Sequence, residues 1–410
     1  MRVRNLLIGL MAGMMACHTT EQTELPEGAW FGNLVREDGK IIQFHFDIRK
    51  ENDKTVLYLI NASDKMRIDK VSYTKDSVFF ELPVFESAFK AKRVSAQRWE
   101  GLWTKAGSRK TQVMPFFAEL QTSVPSKQLK PGKADITGRW AVDFTTADET
   151  GKYAVGEWQQ KGNILIGTML TPTGDYRYLH GTVDGDSMQL STFDGVHSFL
   201  FTAKINDDKT ISGGDFYSGP THKEPWAATK NANATLPDVA GMHLKGKDDK
   251  LNFSFRDING KQVSINDEKF RNKVVVIQIM GSWCPNCMDE TAFLSDYYKK
   301  NKDRGVEIVG LAYEYTPDQD AFQQNMGKFQ KRFDVQYTLL NTGVTVSDSL
   351  KTEKTLPQLT NIKSFPSTIF LDKNGKVALT KAGFEGPSTG EHYDEMKKEF
   401  EATITKLLAK

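Results

Sequence analysis

Two cysteines separated by two residues are the part of this chain whose chemistry is easiest to read. Cys284 and Cys287 lie in the sequence WCPNC at 283–287, directly after the apolar, β-branched run 274–280 and before a stretch, 288–300, that can form a helix. A strand ending at the first cysteine and a helix beginning there would aim free backbone N–H groups and the positive end of the helix dipole at that sulfur. The thiol would then ionise below its usual pKa of about 8.5, and the second sulfur could attack a mixed disulfide. The pattern predicts dithiol–disulfide exchange.

Structural zinc binding, covalent haem attachment and a structural disulfide are the other uses of such a pair. Structural zinc usually needs a second cysteine pair or nearby histidines, and the sequence has no second pair. A c-type haem needs a histidine directly after the second cysteine, where Met288 stands. A structural disulfide is the simplest alternative, but the strand-to-helix position favours redox chemistry. We expect no cofactor and no metal site.

The third cysteine, Cys17, follows a segment with the features of an export signal. Arg2 and Arg4 form a basic start, residues 5–16 are mostly apolar, and a small residue precedes the cysteine. The apolar stretch is too short for a stable spanning helix. The pattern resembles a bacterial lipoprotein signal, from which Met14 departs because such signals favour leucine there. Cleavage would leave Cys17 lipidated at the mature N-terminus. An ordinary secretory signal is the alternative, and both predict export.

Charge and length set limits on the partners and on the number of domains. The formal net charge is +2, and loss of the two signal arginines would bring it to zero. No Arg/Lys cluster with interleaved aromatic residues indicates nucleic-acid binding, and no second apolar stretch is long enough to cross a membrane. A chain of 410 residues predicts two or three domains at roughly 150 residues each.

Residues 26–230 have the pattern of an all-β region. Short runs alternate apolar and polar side chains, as half-buried strands do, and turn residues separate them; examples are 41–48, 78–82 and 198–203. The tryptophans suit core positions, and the histidines lack metal-ligand spacing. The pattern predicts a barrel or a sandwich. It could present substrates or bind partners, or it could be a spacer that lifts the redox domain away from a membrane.

Two markers in this region recur 110 positions apart. Trp30 corresponds to Trp140, and the Asp-Ser pair at 76–77 corresponds to the pair at 186–187. We therefore predict two related β units. Each could be a small sandwich, or the two could be halves of one calycin-like barrel.

The predicted organisation has six parts, and the last alternates strands and helices. In that part the patterns predict a hairpin at 253–261, strands at 305–313 and 367–371, and helices at 318–333 and 390–408. The six parts are a signal peptide 1–16, a tether 17–27, β unit 1 at 28–135, β unit 2 at 136–230, a linker 231–250 and a redox domain 251–410.

The redox domain resembles a known family. Its order of elements, with GSWCPNC at 281–287 and SFPST at 364–368, resembles the α/β thioredoxin fold and, more closely, the exported TlpA/ResA-like thiol–disulfide reductases. The resemblance implies an enzyme that reduces protein disulfides on the periplasmic side of the bacterial cell envelope. It also implies a lipid anchor in the membrane and a membrane electron donor of the thiol-transporter type. The all-β region lies outside the resemblance.

The resemblance also implies roles for individual residues. Cys284 corresponds to the attacking thiolate, whose sulfur is exposed in family members, and Cys287 to the more buried resolving thiol. Pro366 corresponds to a cis-proline whose backbone hydrogen-bonds an incoming extended peptide. Trp283 would shield the pair and shape the docking surface.

Candidate proton-transfer groups are less clear from the sequence. Gln278 occupies the position of thioredoxin's buried aspartate and cannot titrate. The TlpA/ResA-like group often has a glutamate near the end of the next strand, so Glu314 is the candidate base for Cys287; an exposed loop carboxylate is the alternative. Glu290, three residues after Cys287, could occupy the first helical turn for its favourable interaction with the helix dipole alone.

Two other functions and the direction of electron flow stay open. The chain could be an envelope adaptor whose β module captures a ligand or partner while the thioredoxin domain serves as a docking platform. A peroxidase would need Thr or Ser three residues before the cysteine, where Gly281 stands. No rule converts the dipeptide between the cysteines into a reduction potential, so reductase and oxidase directions are both possible.

Overall fold

The computed structural model describes residues 24–107, 110–121, 128–145, 151–246 and 249–410. Its named strands form three sheets, two in the β region and one in the redox domain. Cys17, the predicted signal and most of the predicted tether lie outside the described residues. Within the described ranges, no helix is both long enough and apolar enough to cross a membrane.

The first sheet is an antiparallel meander of nine strands whose first and last members pair. Alternate side chains point into its core, as the period-2 pattern requires. The strands are β1 Gly28–Val35, β2 Ile41–Glu51, β3 Lys54–Asn61, β4 Asp64–Ile68, β5 Lys70–Tyr73, β6 Ser77–Glu81, β7 Ser87–Ser95, β8 Arg98–Lys105 and β9 Gln112–Leu120. The order β4-β3-β2-β1-β9-β8-β7-β6-β5 gives a barrel that is open between β4 and β5.

The second sheet closes completely. Its strands are β10 Gly138–Phe144, β11 Tyr153–Lys161, β12 Ile164–Thr171, β13 Gly174–Asp175, β14 Leu179–Asp184, β15 Ser187–Phe193, β16 Ser198–Ile205, β17 Thr210–Ser218 and β18 His222–Lys230. β10 pairs with both β11 and β18, and β11 also pairs with β12. Eight antiparallel strands therefore form a barrel, and the two-residue β13 is attached to β12.

The two units begin with the same local geometry. Gly28 and Gly138 have φ values of 122° and 123°, a region that favours glycine. Two residues later, the indole N–H of Trp30 and that of Trp140 each donate to the carbonyl four residues earlier, at 3.3 and 2.9 Å. Each unit forms its own barrel-like sheet, neither a sandwich nor half of a shared barrel. The prediction of an all-β region, left open between barrel and sandwich, is confirmed, and the sheets are barrel-like.

The third sheet has a parallel centre and antiparallel edges. Its strands are β19 Ser254–Asp257, β20 Gln262–Ser264, β21 Val274–Met280, β22 Val306–Ala312, β23 Thr338–Asn341, β24 Ser367–Leu371 and β25 Val377–Ala382, in the order β20-β19-β23-β22-β21-β24-β25. β21, β22 and β23 run parallel, and β24 pairs antiparallel to β21. Every residue of β21 and β22 is buried, as in central strands that are covered on both faces.

Helices surround this sheet and complete a thioredoxin fold, as predicted. The α-helices are α1 Pro285–Asn301, α2 Gln319–Phe333, α3 Lys351–Thr355 and α4 Glu391–Leu408, and 3-10 turns lie at Glu268–Phe270, Lys302–Arg304 and Pro387–Thr389. An apolar cluster that includes Leu294, Phe329 and Ile404 packs α1, α2 and α4 against the sheet. The sheet's other face is covered by residues before β19 and around α3.

The units are in direct contact with one another. Between the barrels, the Asn61 side chain donates to the Phe193 carbonyl at 2.8 Å. The segment predicted as a linker, 231–250, is not free of contacts: Ala234 packs on the second barrel, and the Lys245 N–H donates to the Gln358 carbonyl at 2.7 Å. These contacts bring the barrels close to the redox domain.

Candidate redox site

The cysteine pair lies where β21 ends and α1 begins. Cys284 is the N-cap of α1, with extended backbone angles, and Pro285 takes the first helical position, where its missing N–H costs nothing. Cys284 and Cys287 form a disulfide, with Cα atoms 5.2 Å apart. The backbone N–H of Cys287 points at the Cys284 sulfur from 3.2 Å. After reduction, this N–H and the helix dipole would stabilise a thiolate on Cys284.

Both cysteines are covered. Cys284 is 4% exposed and Cys287 is 0% exposed. Burial of Cys287 agrees with the resolving position, whereas the family resemblance implies an exposed Cys284. The difference arises because the second barrel lies over the motif: the Asn286 side chain donates to the Asp175 carbonyl at 3.0 Å.

Pro366 and Trp283, both named from the sequence as site residues, lie beside the pair. The Phe365–Pro366 peptide bond is cis, and the Phe365 carbonyl oxygen lies 3.5 Å from the Cys284 sulfur. The Trp283 ring stacks on Tyr315 with 5.6 Å between ring centres, and its indole N–H donates to the Tyr313 carbonyl at 2.8 Å. Trp283 thus forms one wall of the site, and its only polar side-chain atom is hydrogen-bonded to the backbone.

Glu314 is buried and bonds to the loop that leads into the motif. Its side chain accepts hydrogen bonds from the backbone N–H and the hydroxyl of Ser282, at 2.8 and 2.6 Å. Burial raises its pKa, and the residue is 4% exposed, which contradicts the alternative of an exposed loop carboxylate. Since its carboxylate bonds to Ser282, two residues before Cys284, the geometry places Glu314 as a positioning residue for this loop.

A second buried carboxyl, Glu290, lies one helical turn after Cys287 on the same face of α1. One of its oxygens accepts a hydrogen bond from the Thr368 hydroxyl, and the other has no partner among the described residues. Burial raises the pKa of Glu290 to about 7. A carboxyl with this pKa can exchange a proton at neutral pH, so Glu290 is a second candidate for proton transfer beside Glu314.

Gln278 connects this carboxyl region to the cysteine turn. Its amide nitrogen lies 3.2 Å from the Cys287 carbonyl and 3.1 Å from the Thr291 hydroxyl. Gln278 faces Thr368 across the β21–β24 pair, which places both on the sheet under α1. The i, i+3 spacing of Cys287 and Glu290 can be read from the sequence, but burial against the sheet is what raises the pKa of Glu290.

Within the described part of the chain, no cluster of three His, Cys, Asp or Glu could hold a metal ion.

Known proteins resemble this chain over its C-terminal region. Residues 232–397 match the Redoxin family model. Thiol-disulfide oxidoreductase ResA of Bacillus thuringiensis is 28% identical over 148 residues, which is 36% of this chain and 73% of the relative. ResA of Bacillus subtilis is 27% identical over 135 residues, 33% of this chain and 66% of the relative. The predicted TlpA/ResA-like resemblance is confirmed for this region.

Solved structures of other proteins also align with this region, and one of them serves as an example. It is a thiol:disulfide interchange protein of the thioredoxin family from Chlorobium tepidum, with 19% identity and a TM-score of 0.29, covering 39% of this chain and 94% of that chain.

We expect Glu290→Gln to reduce the pH dependence of stability. The pKa rises from its ordinary 4.5 to about 7 in the fold, so the folded state holds the extra proton between these values and the free energy of unfolding falls as pH rises from 4.5 to 7. This carboxyl contributes a fall of about 3 kcal/mol. Glutamine keeps an oxygen for Thr368 and does not titrate. Urea unfolding between pH 4.5 and 7.5 measures the slope.

The control for this measurement is Glu399→Gln. Glu399 is an exposed carboxylate on α4 that pairs with Lys381, so its removal should leave the wild-type slope. If Glu290→Gln unfolds with the same pH dependence as the wild type, the carboxyl does not titrate in this range.

Proposed function

We propose that this chain, a thiol–disulfide oxidoreductase with a C-terminal Redoxin domain of the TlpA/ResA-like type, reduces protein disulfides in the bacterial cell envelope. One observation carries the proposal: the Cys284–Cys287 pair lies at the N-terminus of α1 beside the cis Phe365–Pro366 peptide. A helix N-terminus stabilises a thiolate, and the chain beside the cis-proline borders the sulfur, where an extended substrate peptide would lie.

Reduction of a substrate takes two exchanges. The Cys284 thiolate attacks one sulfur of the substrate disulfide, the S–S bond breaks, and the other substrate sulfur leaves and takes a proton. The Cys287 thiolate then attacks the Cys284 sulfur of the mixed disulfide, which releases the second substrate thiol and closes the Cys284–Cys287 disulfide. Two electrons and two protons pass from the cysteine pair to the substrate.

The buried polar groups under the pair support the second exchange. Cys287 must lose its proton in a site closed to water, and Glu290 on the same helix face has a pKa of about 7, suited to accept it. Gln278 holds the Cys287 turn without adding a charge. Because the Gln278 side chain carries no charge, Glu290 is the group that would accept the proton from Cys287.

The proposed location rests on the N-terminal sequence. The signal-like segment before Cys17 supports export and a lipid anchor on that residue. A lipid-anchored enzyme on the periplasmic side would be reduced again by a membrane dithiol donor, because a periplasm is kept oxidising and not buffered by a soluble thiol pool.

Cys287→Ser should trap the reaction at the mixed disulfide. Without the second thiol, Cys284 stays bound to the substrate sulfur, and turnover stops after the first exchange. Non-reducing gel electrophoresis after mixing with a disulfide protein should show a thiol-sensitive adduct. Cys284→Ser is the matched control and should form none; equal adduct with both variants would contradict the assigned roles.

The reductase direction predicts a low reduction potential. Titration of the purified protein against dithiothreitol should give a value near or below that of thioredoxin, about −270 mV. A value near the strong oxidant DsbA, about −120 mV, would instead make the chain a disulfide donor.

Cys17→Ala should abolish the lipid anchor. We expect the wild-type chain, produced in a bacterium with lipoprotein processing, to incorporate labelled fatty acid and to sediment with membranes, and the variant to do neither. The double variant Cys284→Ser/Cys287→Ser keeps Cys17 and should be labelled like the wild type. An unlabelled wild-type chain in the soluble envelope fraction would favour an ordinary secretory signal.

A further inference from the structure

Residues 173–177 of the second barrel, here called the cover segment, lie across the redox site. The Ser364 hydroxyl, two residues before the cis-proline, donates to the Thr173 carbonyl at 2.9 Å. The Asn286 side chain, between the two cysteines, donates to the Asp175 carbonyl at 3.0 Å. The cover segment therefore uses its backbone to bind both sides of the groove in which an extended substrate would lie.

Side chains fasten the cover segment at two further points. The Arg177 guanidinium donates two hydrogen bonds to Asp289 of α1, both at 2.9 Å. This two-pronged geometry is the strong form of an ion pair, and the side chains are 11% and 16% exposed. The Asp175 carboxylate accepts hydrogen bonds from the Gly386 N–H and the Ser388 hydroxyl, each at 2.9 Å, next to the start of α4.

The first barrel holds the opposite side of the site. Its loop between β6 and β7 lines the space beside Trp283 and Glu314, and Glu86 in this loop accepts a hydrogen bond from Asn325 of α2 at 3.1 Å. Val84 in the same loop has a φ of 72°, which is strained for a β-branched residue. A residue keeps such a strained backbone conformation only where contacts with the surrounding structure hold the loop in place.

A limited space remains over the attacking sulfur. A half-open cavity of about 280 Å³ lies between Arg177, His197 and Phe199 of the second barrel and Trp283 and Cys284 of the redox domain. This volume is at the lower end of small-molecule sites. Cys284 is 4% exposed and borders this space beside the cover segment, an arrangement that admits a small disulfide more readily than the surface of a folded protein.

We propose that the cover segment selects the substrates of the cysteine pair by size. With the cover in place, Cys284 exchanges with low-molecular-weight disulfides, and it reaches the disulfides of folded proteins only when the cover leaves the groove. The inference rests on the proposed function, since it assigns the substrate range of the same pair; the two exchanges and their balance of electrons and protons are unchanged. The rate with a protein substrate is then scaled by the fraction of molecules that are open.

Arg177→Gln in the full chain tests the cover. The pre-reduced chain is mixed with insulin or with hydroxyethyl disulfide under single-turnover conditions. The oxidation of the Cys284 and Cys287 thiols is followed. The insulin rate itself should rise roughly tenfold or more, and the ratio of the insulin rate to the hydroxyethyl disulfide rate should rise with it; a factor of ten corresponds to about 1.4 kcal/mol. Arg177→Lys should give an intermediate ratio, because an ammonium keeps the charge and loses the two-pronged geometry.

Two further variants keep the test decisive. Arg67→Gln breaks an ion pair with Glu51 within the first barrel and should keep the wild-type ratio. Ser364→Ala removes the bond to Thr173 without leaving a buried charge; it should raise the ratio, and it replaces Arg177→Gln if circular dichroism shows that variant to be unfolded.

The outcomes separate this inference from the proposed function. A wild-type ratio in folded Arg177→Gln and Ser364→Ala, with exchange observed on both disulfides, overturns the cover and leaves the oxidoreductase activity standing. A wild-type chain that exchanges with neither disulfide overturns the proposed function and the cover together.

Discussion

The redox chemistry depends on the position of one sulfur atom, that of Cys284, at the point where a buried strand ends and a helix begins. Cys284 can have a stabilised thiolate only if β21 ends beside the start of α1 and the first N–H groups of the helix face it. β21 meets this requirement because it is the buried centre of the sheet, held by β22 on one side and β24 on the other. The β24 pairing also brings the cis Phe365–Pro366 peptide to the sulfur.

The same burial shifts the pKa of a carboxyl that lies near the pair. Removing Glu290 from water disfavours its charged form, so its pKa approaches neutrality. Burying Glu290 without a cationic partner costs less free energy when the carboxyl is protonated and neutral. The hydrogen bond from Thr368 lowers that cost further. A less buried glutamate would stay ionised and could not exchange a proton with a thiol near neutral pH.

The barrels contribute residues to the redox site. Each has a closed or nearly closed sheet of its own, so each can present a loop without that loop having to complete the sheet. The second barrel uses this freedom at residues 173–177, whose carbonyl groups satisfy Ser364 and Asn286. The redox site is thereby built by three units that are distant in sequence.

The sequence by itself determined the local structure and the chemistry of the cysteine pair. The run 274–280 is the strand Val274–Met280, and the helix predicted at 318–333 is Gln319–Phe333, because hydrophobic period and capping residues act over a few neighbours. Only the tertiary structure decided that Cys284 is covered, that Glu290 is buried under the sheet and that each β unit is its own barrel. Arg177 and Asp289 are 112 residues apart, and contacts at such separations leave no local pattern from which packing could be read.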